Sequence, residues 1–206
     1  MRERRTRPGE ITLVLTCPGT APTSAMFIPP EAMTVSVIHM DVLDAIKNRR
    51  SVRKYSAEAV PEDALMRVLE AGRIAPSANN LQPWHFVVVK DPGTRKKLTG
   101  GKYAKFLEEC PVVIAGCGDT KKSPEWHVVD VTIALQNMVT QATAEGLGTC
   151  WIGSFDEKEV KDALDVPDDF SVVAMLTLGH SKEKARGERR TKAIDEITSR
   201  DRFAKG

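Results

Sequence analysis

Three clusters of side chains in this chain have the types and spacing to hold a charged, planar ligand. The first is the loop Pro76-Ser77-Ala78-Asn79-Asn80-Leu81-Gln82-Pro83-Trp84, where a hydroxyl and several amides are bracketed by two prolines and end on an indole. Proline fixes the backbone at both ends, so these neutral donors and acceptors are held in place. Such a surface suits a flat heteroaromatic ring with carbonyls and ring nitrogens along one edge. An Asx-rich turn capping a strand is the plainer account of the same residues. The second cluster is Lys47-Asn48-Arg49-Arg50-Ser51-Val52-Arg53-Lys54, five cations in eight positions. Cations at a helix C-terminus complement its dipole, but five exceed what a cap requires. The surplus points to an anion, with Arg49 forking onto a phosphate and Ser51 adding a hydroxyl. The third is the basic run 182–192, which either supplies Arg190 and Lys192 to the same anion or forms a solvated tail.

Periodicity indicates the elements that must position these groups. Residues 40–47 read as a helix with Asp41 as N-cap and Val42, Leu43 and Ile46 at helical spacing. Val60-Pro61-Glu62-Asp63 opens a second helix, whose buried face is Leu65, Val68, Leu69 and Gly72 and which stops before Pro76. Strands are predicted at 85–90, 112–116, 149–152 and 170–178, with shorter helices at 92–98, 104–109 and 156–164. The longest helix, 126–145, is apolar on two faces: Val128, Val131, Leu135, Met138 and Ala142 form one, and Val129, Ile133 and Val139 mark the other. Core burial accounts for that pattern, and a dimer interface accounts for it better in so small a chain. Gly146 and Gly148 are expected to end this helix by permitting left-handed backbone.

Composition narrows the classes further. At 206 residues the chain holds one domain with a substantial core, and its net charge of +2 implies no general attraction to nucleic acid. Cys17, Cys110, Cys117 and Cys150 show neither a CxxC pair nor a Cys/His metal spacing, which points to a reducing, cytoplasmic compartment and no metal site. No apolar run approaches the roughly 20 residues of a membrane span. A short apolar run at 11–17 follows Arg2, Arg4, Arg5 and Arg7, but Glu3 and Glu10 flank it and no small-residue cleavage site follows. Residues 1–39 are expected to be an over-extended reading frame or a disordered extension, with Met33 or Met40 as the natural start and 40–206 as the folded domain. The absence of GxGxxG and GxxxxGK[ST] disfavours a Rossmann site and a P-loop. His85, His127 and His180 have no evident nucleophile or carboxylate partner, so no side-chain catalytic residue is assigned.

Taken together in their order, the Arg49-x-Ser51-x-Arg53 motif, Pro76-Ser77-x-x-Asn80-x-Gln82-Pro83-Trp84, Gly146-Leu147-Gly148 before a strand and Arg190-x-Lys192 near the end resemble the FMN-dependent nitroreductase family over about 40–197. The resemblance implies an α+β, three-layer α-β-α fold with a central mixed sheet, assembled as an intertwined homodimer. It implies FMN as cofactor and NADH or NADPH as donor. Hydride would pass in ping-pong fashion through flavin N5 to a small electron-poor acceptor, such as a nitroaromatic or a quinone. A flavin-binding protein without turnover, and a dehalogenating or flavin-fragmenting relative, are the alternatives. By resemblance Arg49, Arg50 and Ser51 meet the phosphate or ribityl chain, and Arg53 the pyrimidine edge. Pro76, Ser77, Ala78, Asn80 and Gln82 belong to the same cofactor site. Backbone at Ile152, Gly153 and Ser154 meets N5 and O4, and Arg190 and Lys192 reach the phosphate. Ser154 departs from the acidic residue or glycine usual there. The short 117–125 loop implies an open pocket tolerant of varied acceptors.

Overall fold

The computed structural model describes residues 40–100, 105–183, 187 and 190–203. The expectation for residues 1–39 therefore lies outside the described residues. Capping decides where several helices begin. Asp41 accepts Leu43 N–H and starts α1 (Val42–Asn48), Asp91 accepts Thr94 N–H and starts α3 (Pro92–Lys97), and Asp156 accepts Glu159 N–H and starts α5 (Glu157–Leu164). α2 (Glu62–Arg73) begins after Pro61 with two acidic residues in its first turn, and α4 (His127–Ala144) is the long helix. Lys105–Leu107 forms one 3₁₀ turn within the expected 104–109 helix, whose first residue lies outside the described residues.

The strands β1 (Trp84–Val89), β2 (Val112–Asp119), β3 (Gly148–Ile152) and β4 (Phe170–Gly179) form one sheet in the order β1-β2-β4-β3. Every pair is antiparallel, and the parallel component is a single bridge between Ser51 and Thr149. Period-two alternation sorts β2 and β4 between two cores. Val112, Ile114, Leu176 and Leu178 face Leu65 and Val68 of α2 and Leu135 and Met138 of α4. Val113, Ala115 and Met175 face Leu98, Leu107 and Val160 on the other side. The result is the three-layer α-β-α arrangement, with both sheet faces covered.

Two details differ from the sequence reading. β2 continues past Gly116 through Cys117 and Gly118, with a register shift at Gly116. The glycines there admit a close helix, because an added Cβ would stand 2.7 Å from Leu135 Cδ1 at Gly116 and 3.0 Å from His127 Cδ2 at Gly118. Gly146 does adopt positive φ (73°) at the end of α4, whereas Gly148 does not and serves a packing need described below. Among the described residues no helix is long and apolar enough to cross a membrane, and no three His, Cys, Asp or Glu side chains are grouped to hold a metal ion.

Candidate functional site

The cation cluster is laid along the free edge of β3. Ser51 pairs in parallel with Thr149, and Val52 N–H donates to the Thr149 carbonyl at 2.9 Å. This approach requires glycine at 148, where a Cβ would stand 2.7 Å from Val52 Cγ2. On its other side the strip is tied to the chain leaving β4. Ser56 N–H donates to the His180 carbonyl and Lys182 N–H to the Lys54 carbonyl, each at 2.9 Å. Tyr55, 1% exposed, donates its hydroxyl to the Val52 carbonyl at 2.7 Å and lies 2.5 Å from Thr177 Oγ1. Burial raises the pKa of this phenol, so it stays protonated as an internal strut. Glu183 accepts Arg53 N–H at 2.7 Å, which fixes the backbone from which the Arg53 side chain departs.

Arg53 lines a cavity of about 470 Å³ together with Phe106, Cys150, Trp151, Ile152, Gly153 and Ser154, within the usual range for small-molecule sites. Gly153 is exposed, and a Cβ added there would meet nothing within 4 Å. The protein therefore leaves room for backbone to come close to a ligand at that point. Cys150 is buried at this edge. Desolvation raises its pKa, while the charge of Arg53, a side-chain hydrogen bond with Ser51, and the charge of Arg49 pull it down. A smaller cavity of about 220 Å³ lies beside Arg49, Arg50, Gly148 and Glu183. Arg50 donates to the carbonyls of Lys47, Arg49 and Gly187, which draws the C-terminal segment against the strip. Arg190 and Lys192 follow a few residues later and are exposed.

The amide loop sits elsewhere. It leads into β1, at the opposite edge of the sheet from β3. Strands spaced about 4.8 Å apart put those edges about 14 Å from each other. Arg53, Ile152, Gly153 and Ser154 thus share a cavity, and none of Pro76, Ser77, Ala78, Asn80 or Gln82 lines it. Within the loop, Asn79, Asn80 and Gln82 all have positive φ (49°, 54° and 49°), a strained conformation for residues with a Cβ. Two inward contacts hold it: Ser77 Oγ accepts Gln82 N–H at 2.8 Å, and Asp130 Oδ1 accepts Ala78 N–H at 3.1 Å. Ser77 therefore uses its oxygen to close the loop, while Asn79, Asn80 and Gln82 remain exposed.

Phe106, Trp151, Glu183 and Asp130 were not singled out from sequence. Glu183 is one of two acids inside a basic run, and Asp130 a lone acid between Val129 and Val131, so each carried a usable signal. Phe106 and Trp151 carried none beyond being aromatic.

The nitroreductase family model matches residues 46–100 and 95–180. A Methanothermobacter thermautotrophicus protein, provisionally named an NADH dehydrogenase/NAD(P)H nitroreductase, is 34% identical over 154 residues, covering 71% of this chain and 81% of its own. The crystal structure of a nitroreductase family protein from Clostridium novyi is 31% identical with a TM-score of 0.68, covering 70% of this chain and 87% of its own. An FMN-dependent nitroreductase from Clostridium difficile is 28% identical with a TM-score of 0.72, covering 78% of this chain and 99% of its own.

Proposed function

The chain belongs to the nitroreductase family, and from that premise we propose that it is an FMN-dependent oxidoreductase using NADH or NADPH to reduce a small, electron-poor acceptor. The observation that carries the proposal is the β3-edge cavity. There a guanidinium, exposed backbone with an open position at Gly153 and a flanking row of cations are brought together. This donor set fits FMN: a dianionic phosphate beside Arg49, Ser51, Arg190 and Lys192, and a ring against Ile152, Gly153 and Ser154. Bound FMN would supply hydride acceptance from the nicotinamide and its return to a nitroaromatic, quinone or similar compound. The role of Arg53 is to favour negative charge on the pyrimidine side of the ring. The β3 strip and Tyr55 strut keep that guanidinium from drifting.

The loop at the other edge then belongs to the site of a second copy, which makes the enzyme a homodimer with shared sites. Val42, Leu43 and Ile46 of α1 and Val128 and Val129 of α4 are 44–68% exposed, an apolar surface suited to such a partner. Ile194, Ile197 and Phe203 of the C-terminal segment are exposed as well, which suits an intertwined assembly. The buried free thiols of Cys110, Cys117 and Cys150 suit a reducing, cytoplasmic setting.

Purified full-length protein should be yellow or turn yellow with added FMN. It should bleach under anaerobic NADH or NADPH, and recover its colour with a nitroaromatic or quinone. Protein that stays colourless with FMN overturns the proposal. Bound flavin that never bleaches points instead to a non-catalytic flavin carrier.

A further inference from the structure

We propose that Asp130, a residue outside both the amide loop and the cation strip, is the positioning residue that sets the loop's shape from behind. This deepens the FMN reading, since the loop is the surface offered to the ring of the partner's site. Asp130 lies in the first turn of α4, is 2% exposed, and accepts Ala78 N–H through Oδ1. Its Oδ2 is buried with no hydrogen-bond partner among the described residues. A buried carboxylate is costly unless it is well paired. The dipole of an 18-residue helix makes an anion tolerable at that end, but a solvent-facing acid would serve the dipole equally well. The burial has a local reason: the side chain reaches a loop holding three left-handed residues that bear Cβ atoms.

Ser77 closes this loop from within, whereas Asp130 ties it to a rigid element outside it. A strained conformation persists only where its surroundings over-determine it. The inward contacts leave the amides of Asn79, Asn80 and Gln82 exposed for a ligand. Val128 and Val129, exposed on the same turn of α4, place the peg of the loop on the helix that meets the second copy in the proposed dimer.

The test compares wild type, Asp130→Ala and Asp130→Asn as full-length chains. It reads amide hydrogen exchange at Ala78 and Gln82 without FMN, FMN affinity by fluorescence titration, and melting temperature. Asp130→Ala is expected to speed exchange at both amides at least about tenfold and to weaken FMN about tenfold. Asp130→Asn, whose carbonyl can accept the same bond, should restore both to within about twofold of wild type. Unchanged exchange in Asp130→Ala overturns the proposal. So does an acceleration spread evenly over α4, which marks a merely structural residue, and so does equal damage from Asn, which marks the charge instead of the bond. Should Asp130→Ala not fold, Ala78→Pro removes the same N–H from the loop side. Ser77 is already extended (φ −141°, ψ 157°), as a residue before proline requires, and unchanged exchange at Gln82 in that variant is equally fatal. Wild type that binds no FMN defeats the cofactor reading alone, because the exchange measurement still decides the role of Asp130.

Discussion

The two edges of the sheet hold their candidate ligand groups by opposite means. At β3, charge is concentrated on bridged backbone: the 51–56 strip is bonded to β3 through Ser51 and Val52 and to the chain leaving β4 through Lys54 and Ser56. At β1 the side chains are neutral and the backbone itself is unusual, with positive φ at Asn79, Asn80 and Gln82. An edge strand can accept another strand and present its side chains in register, so a row of cations needs only a regular neighbour. Amides that must face a ring edge need a sharper path, which strained residues provide when something buried holds them. In the proposed dimer each edge supplies half a site, and a ring touching both would lie between two copies.

The largest test of that division is complementation. Val129→Asp on the apolar face of α4 should yield monomers in sedimentation and weaken FMN by about a hundredfold or more, since an unpaired charge in an apolar interface is costly. An Arg53→Ala dimer and an Asn80→Ala/Gln82→Ala dimer should each be poor. Exchange of subunits between them should restore about half the wild-type turnover per mixed dimer, because one of its two sites is then intact. No gain on mixing would return both halves to a single protomer. Next in size, Arg53→Ala alone should weaken FMN about 10- to 100-fold, the range for losing one charge-assisted hydrogen bond. Normal flavin content and a normal rate of reduction in that variant would remove Arg53 from the site.

Alkaline pH should weaken the core behind the β3 edge. Burial pushes Cys110 from 9.0 to about 12 and Cys117 from 9.0 to about 11, and it raises Tyr55 as well. Cations offset part of the burial at each thiol: Arg95 at Cys110, Lys161 at Cys117, and Arg53 with Arg49 at Cys150. These groups hold their protons more tightly when folded, so their contribution is complete below pH 9 and declines as pH rises towards 11 and 12. The loss should reach about 1 kcal/mol per thiol at pH 10. Urea midpoints that stay flat from pH 8.5 to 10.5 would contradict this. The two glycines of the β3 edge supply the finest contrast. Gly148→Ala should cost about 1–3 kcal/mol, because Val52 stands where the methyl must go. Gly153→Ala should change stability by about 0.5 kcal/mol or less yet weaken FMN, since its open side is reserved for the ligand.

Much of this was legible along the chain because the signals are local. Asp41, Asp91 and Asp156 start the helices they were expected to start, and the strand at 112–116 lies within β2. The expected strand ends at Gly116 whereas β2 runs on to Asp119, and the glycines at 116 and 118 admit Leu135 and His127 from a helix later in sequence. Val42, Leu43 and Ile46 have the spacing of a core face and are exposed in the single chain, with only Ala45 of α1 buried. The candidate site was legible as residue types. The position of one half relative to the other was not, since nothing in Pro76-Ser77-Ala78 tells which edge strand it feeds.

The amino-acid sequence alone determined where helices and strands form and which groups can carry charge or donate hydrogen bonds, since caps, periodicity and side-chain chemistry act over a few residues. Strand order, the burial of Asp130 beneath a strained loop, and the separation of cations from amides on opposite edges of the sheet were decided by tertiary structure. Those features depend on contacts between residues 50 to 100 positions apart, such as Ala78 with Asp130 and Ser51 with Thr149, which only packing brings together.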